Sequence, residues 1–316
     1  MTKFNEYIAN LNPEIKNYFK ILSPVFPSFL IPFIETKTMM RLKDIGYFCG
    51  MDYGNPDYYH FKYYLSTLDH SISTSLMVWS MTYNVKKTLA ALFHDGSSPA
   101  FRHSIDYYNK DFKKQESTEI NLEEFLVKDK GLMQLLDTYH LSLKDIADYK
   151  NIPIIDCERP HMCADRLDGI FLTSLVWIQK TNISEIRKLY QNTILVVNDD
   201  GEEEISLIDP INVDRIVELN DLIDEETNCN EDYFSMLYLS ELVRVLINKK
   251  LIKYEDLYVL TDLDVFKIVK NNLNDLEIKY RYERFINLSF NPNAERQLVK
   301  KRNIDPLIYQ IRYSKL

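Results

Sequence analysis

Four side chains in this sequence have the types and spacing to meet around one cation. His70 lies in the run LSTLDHSISTSL, His94 and Asp95 close the run AALFHD, and Asp165 opens MCADRLDGIFL much further on. Each stands at the edge of an apolar, helix-forming stretch, where an ionised carboxylate is costly unless it is paired or holds a metal. Two imidazoles and two carboxylates suit Mn²⁺, Mg²⁺, Fe²⁺, Ni²⁺ or Zn²⁺ and leave positions open for water and a phosphate oxygen. Singly, each has a plainer reading: a histidine caps a helix end, and an aspartate opens a turn. Order and spacing together make the case for a site.

The elements that must position these residues are mostly helices. Apolar residues recur at three- and four-residue intervals over residues 71 to 83, 85 to 95, 162 to 178 and 233 to 251. Pro160 stands just ahead of the third, as expected near a helix start. Residues 193 to 209 differ: two β-rich runs are joined through Asn198-Asp199-Asp200-Gly201, which predicts a hairpin. The expected fold is mainly α, a helical bundle with a small β-hairpin and additional C-terminal helices. Its expected divisions are an N-terminal segment (1–35), a core carrying the four residues (36–180), and the hairpin with C-terminal helices packed on that core (181–316). No Gly/Ser/Pro-rich spacer marks position 180, so that division is a soft one.

Composition narrows the function classes. The chain of 316 residues is 46% hydrophobic and 27% charged, enough for a substantial core. A formal charge of −9 argues against a nucleic-acid-coating surface, though not against a local basic pocket. Glycine is scarce, with 7 residues, and no glycine-rich phosphate loop is present, so phosphate chemistry must use another device. Cys49, Cys157, Cys163 and Cys229 form no CxxC and read as reduced thiols in a reducing, cytoplasmic setting. The run KILSPVFPSFLIPFIE is apolar but short and interrupted by Pro24, Pro27 and Pro32, which argues against a membrane span. The start MTKFNEYIAN does not read as a signal peptide.

The pattern H…HD…D resembles that of the HD-domain metal-dependent phosphohydrolases. HDGSSPAFRHSID is similar to the HDxxxxPFxH segment of the deoxynucleoside triphosphate triphosphohydrolase branch (the dGTPase-like and SAM-and-HD-domain enzymes), with the proline one place early. ADRLDG is similar to that branch's D-R/K-x-D segment, and MMRLKDIGYFCG to its RLxxIxxxG segment. The likeness runs from about residue 36 to 180 and continues more loosely beyond. It implies that His70, His94, Asp95 and Asp165 are ligands of one divalent ion, with Asp95 part of the catalytic centre. It implies that His103 contacts phosphate or orients water, and that Arg166 grips a phosphate. For His103 the plain alternative is a buried histidine bonded near the turn; for Arg166 it is a salt bridge to Asp168 or Glu158.

Departures from the family pattern matter as much. The branch carries a His-Glu acid–base pair where this chain has Gln115-Glu116, and glutamine cannot shuttle a proton. Glu116 can still orient a water, and Glu119 lies one helical turn on. The second histidine of the family's HDxxH turn is Ser98; Gly169 and Thr173 stand where an aromatic and an acid often read the sugar; Met40 stands where a glutamine often precedes RLxxI. Gln115, Lys114 and Lys113 are candidates to contact a phosphate tail, although the plainer reading of the two lysines, an ordinary solvated basic pair, is the stronger one. His161 would share a helical face with Asp165 if that helix began early enough. The aromatic run Tyr58-Tyr59-His60-Phe61 reads either as a base-stacking surface or as core.

Three function classes follow. The first is a metal-dependent hydrolase of phosphate esters or anhydrides, acting on a deoxynucleoside triphosphate or, alternatively, as a phosphomonoesterase or phosphodiesterase on another nucleotide. The second is a nucleotide sensor that has lost turnover. The third, a helical interaction protein, requires that the four candidate ligands do not converge. The expected partner is a nucleotide or other phosphorylated small molecule, with a homo-oligomer also in view.

Overall fold

In the computed structural model, residues 2–118 and 122–315 are described. Among them are sixteen α-helices and four short strands, the mainly helical fold expected from the periodicity. No helix among the described residues is long and apolar enough to cross a membrane.

The central helix, Thr67–Thr82, carries His70. It starts in a capping box: the Ser66 hydroxyl accepts from the Asp69 backbone N–H, and the Asp69 carboxylate accepts from the Ser66 N–H. Its residues from Thr67 through Val78 are all buried, so its sequence shows little amphipathic contrast. Several of its small hydroxyls close back on its own carbonyls, as where Ser75 Oγ donates to Ile72 O at 2.7 Å, while Ser71 Oγ and Thr74 Oγ1 are buried without a hydrogen-bond partner among the described residues. Three helices pack around it: Pro13–Leu22, Val85–Phe93 and Ala164–Val176. Two of these bring the remaining candidate ligands to the same end of the bundle.

Residues 1–35 reach this centre as well. The Tyr18 hydroxyl donates to Asp168 Oδ1 at 2.5 Å, and Tyr7 donates to Asp69. The aromatic run at 58 to 61 packs against the core: Tyr59 is buried, Tyr58 and Phe61 are half-buried and His60 is exposed, with Phe61 stacked on Phe48 at 4.4 Å between centroids and Tyr59 and Trp177 beside them.

The hairpin forms as expected, with β1 (Thr193–Val197) antiparallel to β2 (Glu203–Leu207) and Thr193 opposite Leu207. Gly201, at φ 80°, takes the left-handed conformation its turn requires. Two further strands extend it to the order β1-β2-β3-β4: β3 (Leu307–Ile308) runs parallel to β2, and β4 (Ile311–Arg312) antiparallel to β3. At two residues each they are too short to show a period in sequence. The sheet braces the site from below. Ile205 N donates to Met162 O at 3.0 Å, and Met162 N donates to Glu204 Oε1 at 3.1 Å, so the loop entering the Ala164–Val176 helix is clamped to β2. Glu204, buried, is in turn held by the Arg312 guanidinium.

Candidate metal centre

The helix Val85–Phe93 ends at His94, and the chain turns at once: Gly96 N bonds Phe93 O at 2.8 Å and Ser98 N bonds Asp95 O at 2.9 Å. This turn swings Asp95 back toward the imidazoles. The helix Ala164–Val176 places Asp165 in its first turn and Asp168 three residues on, along one face. Thus the four candidate ligands converge. His70 Nε2 lies 3.3 Å from His94 Nε2. Asp165 Oδ1 lies 2.8 Å from the first and 3.5 Å from the second. Asp95 Oδ2 lies 3.8 and 3.7 Å from the same two nitrogens. Among the described residues, donor atoms of His70, His94 and Asp95 all fall within 4.8 Å of one another, a group that can hold a metal ion.

The donor chemistry fits a cation. His94 Nδ1 donates to the Ala91 carbonyl at 2.7 Å, and His70 Nδ1 donates to Asp168 Oδ2 at 2.7 Å. The Ala91 carbonyl can only accept, and Asp168 also accepts from Ser73 Oγ and Tyr18 OH, an arrangement in which both rings carry hydrogen on Nδ1 and turn Nε2 lone pairs toward the centre when neutral. Two such lone pairs at 3.3 Å cannot bond each other without a proton or a cation between them. Asp95 Oδ2 is buried without an aligned hydrogen bond, although Arg102 Nη1 stands 2.8 Å away as a charge contact. Asp165 is 38% exposed in its side chain because it faces the cavity.

The charges are strongly coupled. Burial opposes a charge on His70, but its bonds to Asp165 and Asp168 prevail and push the imidazole up to about 10. His94 moves the same way, against burial, because of Asp95 and Asp165. Burial would raise both carboxyls, yet Arg102 and the two imidazoles bring Asp95 down to about 2. Bonds from the same imidazoles hold Asp165 well below the usual carboxylate range. The protein side of this centre therefore concentrates negative charge that calls for a cation, supplied either by protons on imidazole or by a metal.

Asp168 is the residue that sequence reasoning passed over. It appeared there only as the second aspartate of ADRLDG and as a salt-bridge alternative for Arg166, with no role given to it. Fully buried, it accepts from His70 Nδ1, Ser73 Oγ (2.7 Å) and Tyr18 OH. Its i+3 spacing from Asp165 was visible; its three donors come from distant segments and were not.

Above the centre opens a cavity of about 1110 Å³. Its lining includes Arg102, Lys113, Lys114, Arg159, Arg166 and Arg302, with Glu116, Asp148, Glu158 and Asp232 among the acids. His103 lines it too; its Nδ1 is held by Asp106 Oδ2 at 2.9 Å, and Asp106 is fixed by Ser117 and Thr118. Gln115 is buried, in a left-handed backbone conformation, and its Oε1 accepts from Arg302 Nη2 at 3.3 Å. Lys113, Lys114 and Glu116 are exposed on the rim. Glu119 lies outside the described residues.

Arg166 takes neither salt bridge considered for it. Its Nη2 donates to Cys157 O at 2.8 Å and its Nη1 to His161 O, so it organises the loop before the helix while still lining the cavity. His161 does not share a helical face with Asp165, because the helix starts only at Ala164; its Nδ1 sits 3.8 Å from Glu204 Oε2 instead. Arg41, in the segment similar to RLxxIxxxG, is likewise a buttress, donating to the carbonyls of Ser98 and Leu260. Asp262 is another: it accepts from Phe101 N at 2.8 Å and Gly46 N at 2.9 Å, tying the turn after His94 to the C-terminal helices.

No protein-family model matches the chain, and no curated protein matches it in sequence. Solved structures do resemble it. A hypothetical protein from Aquifex aeolicus is 14% identical, with a TM-score of 0.58 over 84% of this chain and 72% of that one. A phosphohydrolase from Bacteroides thetaiotaomicron is 13% identical, with a TM-score of 0.50 over 85% of this chain and 72% of that one. At these identities the likeness establishes a shared fold.

Proposed function

We propose that this chain is a metal-dependent hydrolase of phosphate esters or anhydrides, acting on nucleotides and first of all on deoxynucleoside triphosphates. One observation carries the reading. Two imidazoles with Nδ1 already engaged turn Nε2 toward Asp95 and Asp165 at the floor of a cavity bearing several cationic side chains. The fold shared with a phosphohydrolase supports it. The deoxynucleotide preference rests on the family likeness of HDGSSPAFRHSID and ADRLDG.

A divalent cation held by His70, His94, Asp95 and Asp165 would supply Lewis acidity toward a phosphate oxygen and a water acidic enough to attack at neutral pH. The chain's own residues do the rest. Asp168 and the Ala91 carbonyl keep the two rings in one tautomer and orientation. His103, oriented by Asp106, lines the cavity, where it can contact phosphate or orient water. Glu116 stands at the rim, where it can orient water. The cavity volume of about 1110 Å³ accommodates a nucleotide.

A second reading, a nucleotide sensor with little turnover, is favoured by Gln115. It is pinned to Arg302 and cannot pass a proton. The test is a nucleotide panel with Mn²⁺, Mg²⁺, Ni²⁺ or Fe²⁺, comparing the natural chain with Asp95→Ala. The expected outcome is triphosphate release from a deoxynucleotide, reduced about a thousandfold in the variant. Orthophosphate alone would indicate a phosphatase. Nucleotide binding without any product would favour the sensor.

A further inference from the structure

We propose that Arg102, which neither the motif pattern nor the fold likeness assigns, is the side chain that grips a phosphate oxyanion at the edge of the metal centre. The proposal rests on the metal-dependent reading above and deepens it. Arg102 is 8% exposed and lines the cavity next to the ligand set. A buried guanidinium needs several acceptors, and this one is short of them. Nη1 is shared between Asp95 Oδ2 at 2.8 Å and Thr67 Oγ1 at 3.1 Å. Nε is buried with no partner, and Nη2 donates to none of the described residues. The plane lies over the Tyr47 ring, 5.1 Å from its centroid, which fixes its orientation.

The backbone has been bent to put it there. Phe101 and Arg102 are consecutive non-glycine residues at φ 67° and 42°, a conformation that persists only where the surroundings enforce it. The enforcing bonds are visible: Phe101 N to Asp262 Oδ1, Ala100 N to Leu257 O and Arg102 N to Pro99 O. Arg166, the arginine that the motif pattern points to, is by contrast engaged with the carbonyls of Cys157 and His161.

The position explains a double role. Asp95 Oδ2 lies 3.8 and 3.7 Å from the two imidazole nitrogens, so Arg102 touches the ligand set itself. A phosphate oxygen arriving at that set comes within reach of the unengaged Nη2. In its absence the guanidinium neutralises Asp95 and competes with a cation for it.

The test uses the full chain and two probes, Mn²⁺ and inorganic phosphate. Mn²⁺ affinity is measured by calorimetry, and phosphate affinity at the loaded, desalted protein by the Mn²⁺-induced ³¹P relaxation. Arg102→Gln should bind Mn²⁺ as well as the natural chain or better, since a competing cation is gone. Its phosphate affinity should fall about tenfold, the size of one charge-assisted hydrogen bond. Arg102→Lys should recover part of that loss, keeping charge without the fork. Unchanged phosphate affinity in a folded, Mn²⁺-binding Arg102→Gln would overturn the assignment and leave the metal reading standing. Loss of Mn²⁺ binding in a variant that melts normally would overturn it too, reducing Arg102 to an orienter of Asp95. No Mn²⁺ binding by the natural chain would overturn both.

Discussion

The floor and the rim of the cavity are built on opposite principles. On the floor, His70 and His94 are at most 8% exposed, and each has its Nδ1 committed to an acceptor on rigid helical backbone or on Asp168. On the rim, Lys113, Lys114 and Glu116 are exposed in irregular chain. Asp111 accepts from the backbone N–H groups of Lys114 and Glu116, but of these side chains and that of Gln115 only the buried Gln115 is seen bonded among the described residues, to Arg302. The floor therefore has one arrangement, set by packing and by charges that compensate each other. The rim carries charge with little geometric constraint. On the proposed reading, chemistry common to many phosphorylated compounds would belong to the first kind of surface, and choice among them to the second.

The sharpest way to test the floor is pH. In the metal-free protein His70 sits above its ordinary 6.5, near 10, because Asp165 and Asp168 outweigh burial. Its contribution to stability is then fully present below about 6.5 and is lost as pH rises through about 10. Melting of the metal-free protein should fall across that interval. Metal must displace the same proton, so Mn²⁺ affinity should climb about tenfold per pH unit over it. Calorimetric titrations between pH 6.5 and 9 read the slope; a flat profile would mean that the imidazoles carry no proton and the floor is not coupled as described.

A smaller effect is expected one layer out. Asp168→Asn keeps the volume but weakens the hold on His70 Nδ1. Metal affinity should drop by about 10–100-fold, the usual consequence of removing a carboxylate behind a ligating histidine. Because Tyr18 and Ser73 share the same carboxylate, the variant should also melt earlier. Equal metal affinity in the variant would show that the ring is held by packing alone.

The smallest effect belongs to the rim. Lys114→Ala removes an exposed charge, and about a two- to threefold rise in KM with kcat unchanged is expected, shrinking further with salt. A loss as large as that of Asp168→Asn would break the contrast and place the rim in the machinery.

Much of this was legible before the fold. The helices at 71 to 83, 85 to 95, 162 to 178 and 233 to 251 are found as Thr67–Thr82, Val85–Phe93, Ala164–Val176 and Asn230–Asn248, and the hairpin is in place. Their apolar periods are long enough to dominate local preference. His70, His94, Asp95 and Asp165 announced themselves because polar residues at the edges of apolar runs demand a reason. Arg102 gave no such signal, since an arginine after a turn reads as surface. Asp262 was equally silent, because its partners, Gly46 and Phe101, are backbone groups far away in sequence.

By itself, then, the sequence determined that the chain is mainly helical, four of its helices, where the hairpin turns, and which four residues are candidates to share a cation, because these follow from local periodicity and residue chemistry. Only the tertiary structure decided the rest. It set Asp168 behind His70, turned Arg166 into a brace for its loop, bent Phe101 and Arg102 into the left-handed region, and brought Arg302 across to Gln115. Those outcomes depend on hydrogen-bond partners separated by many residues, and no local pattern records which buried donor will meet which acceptor.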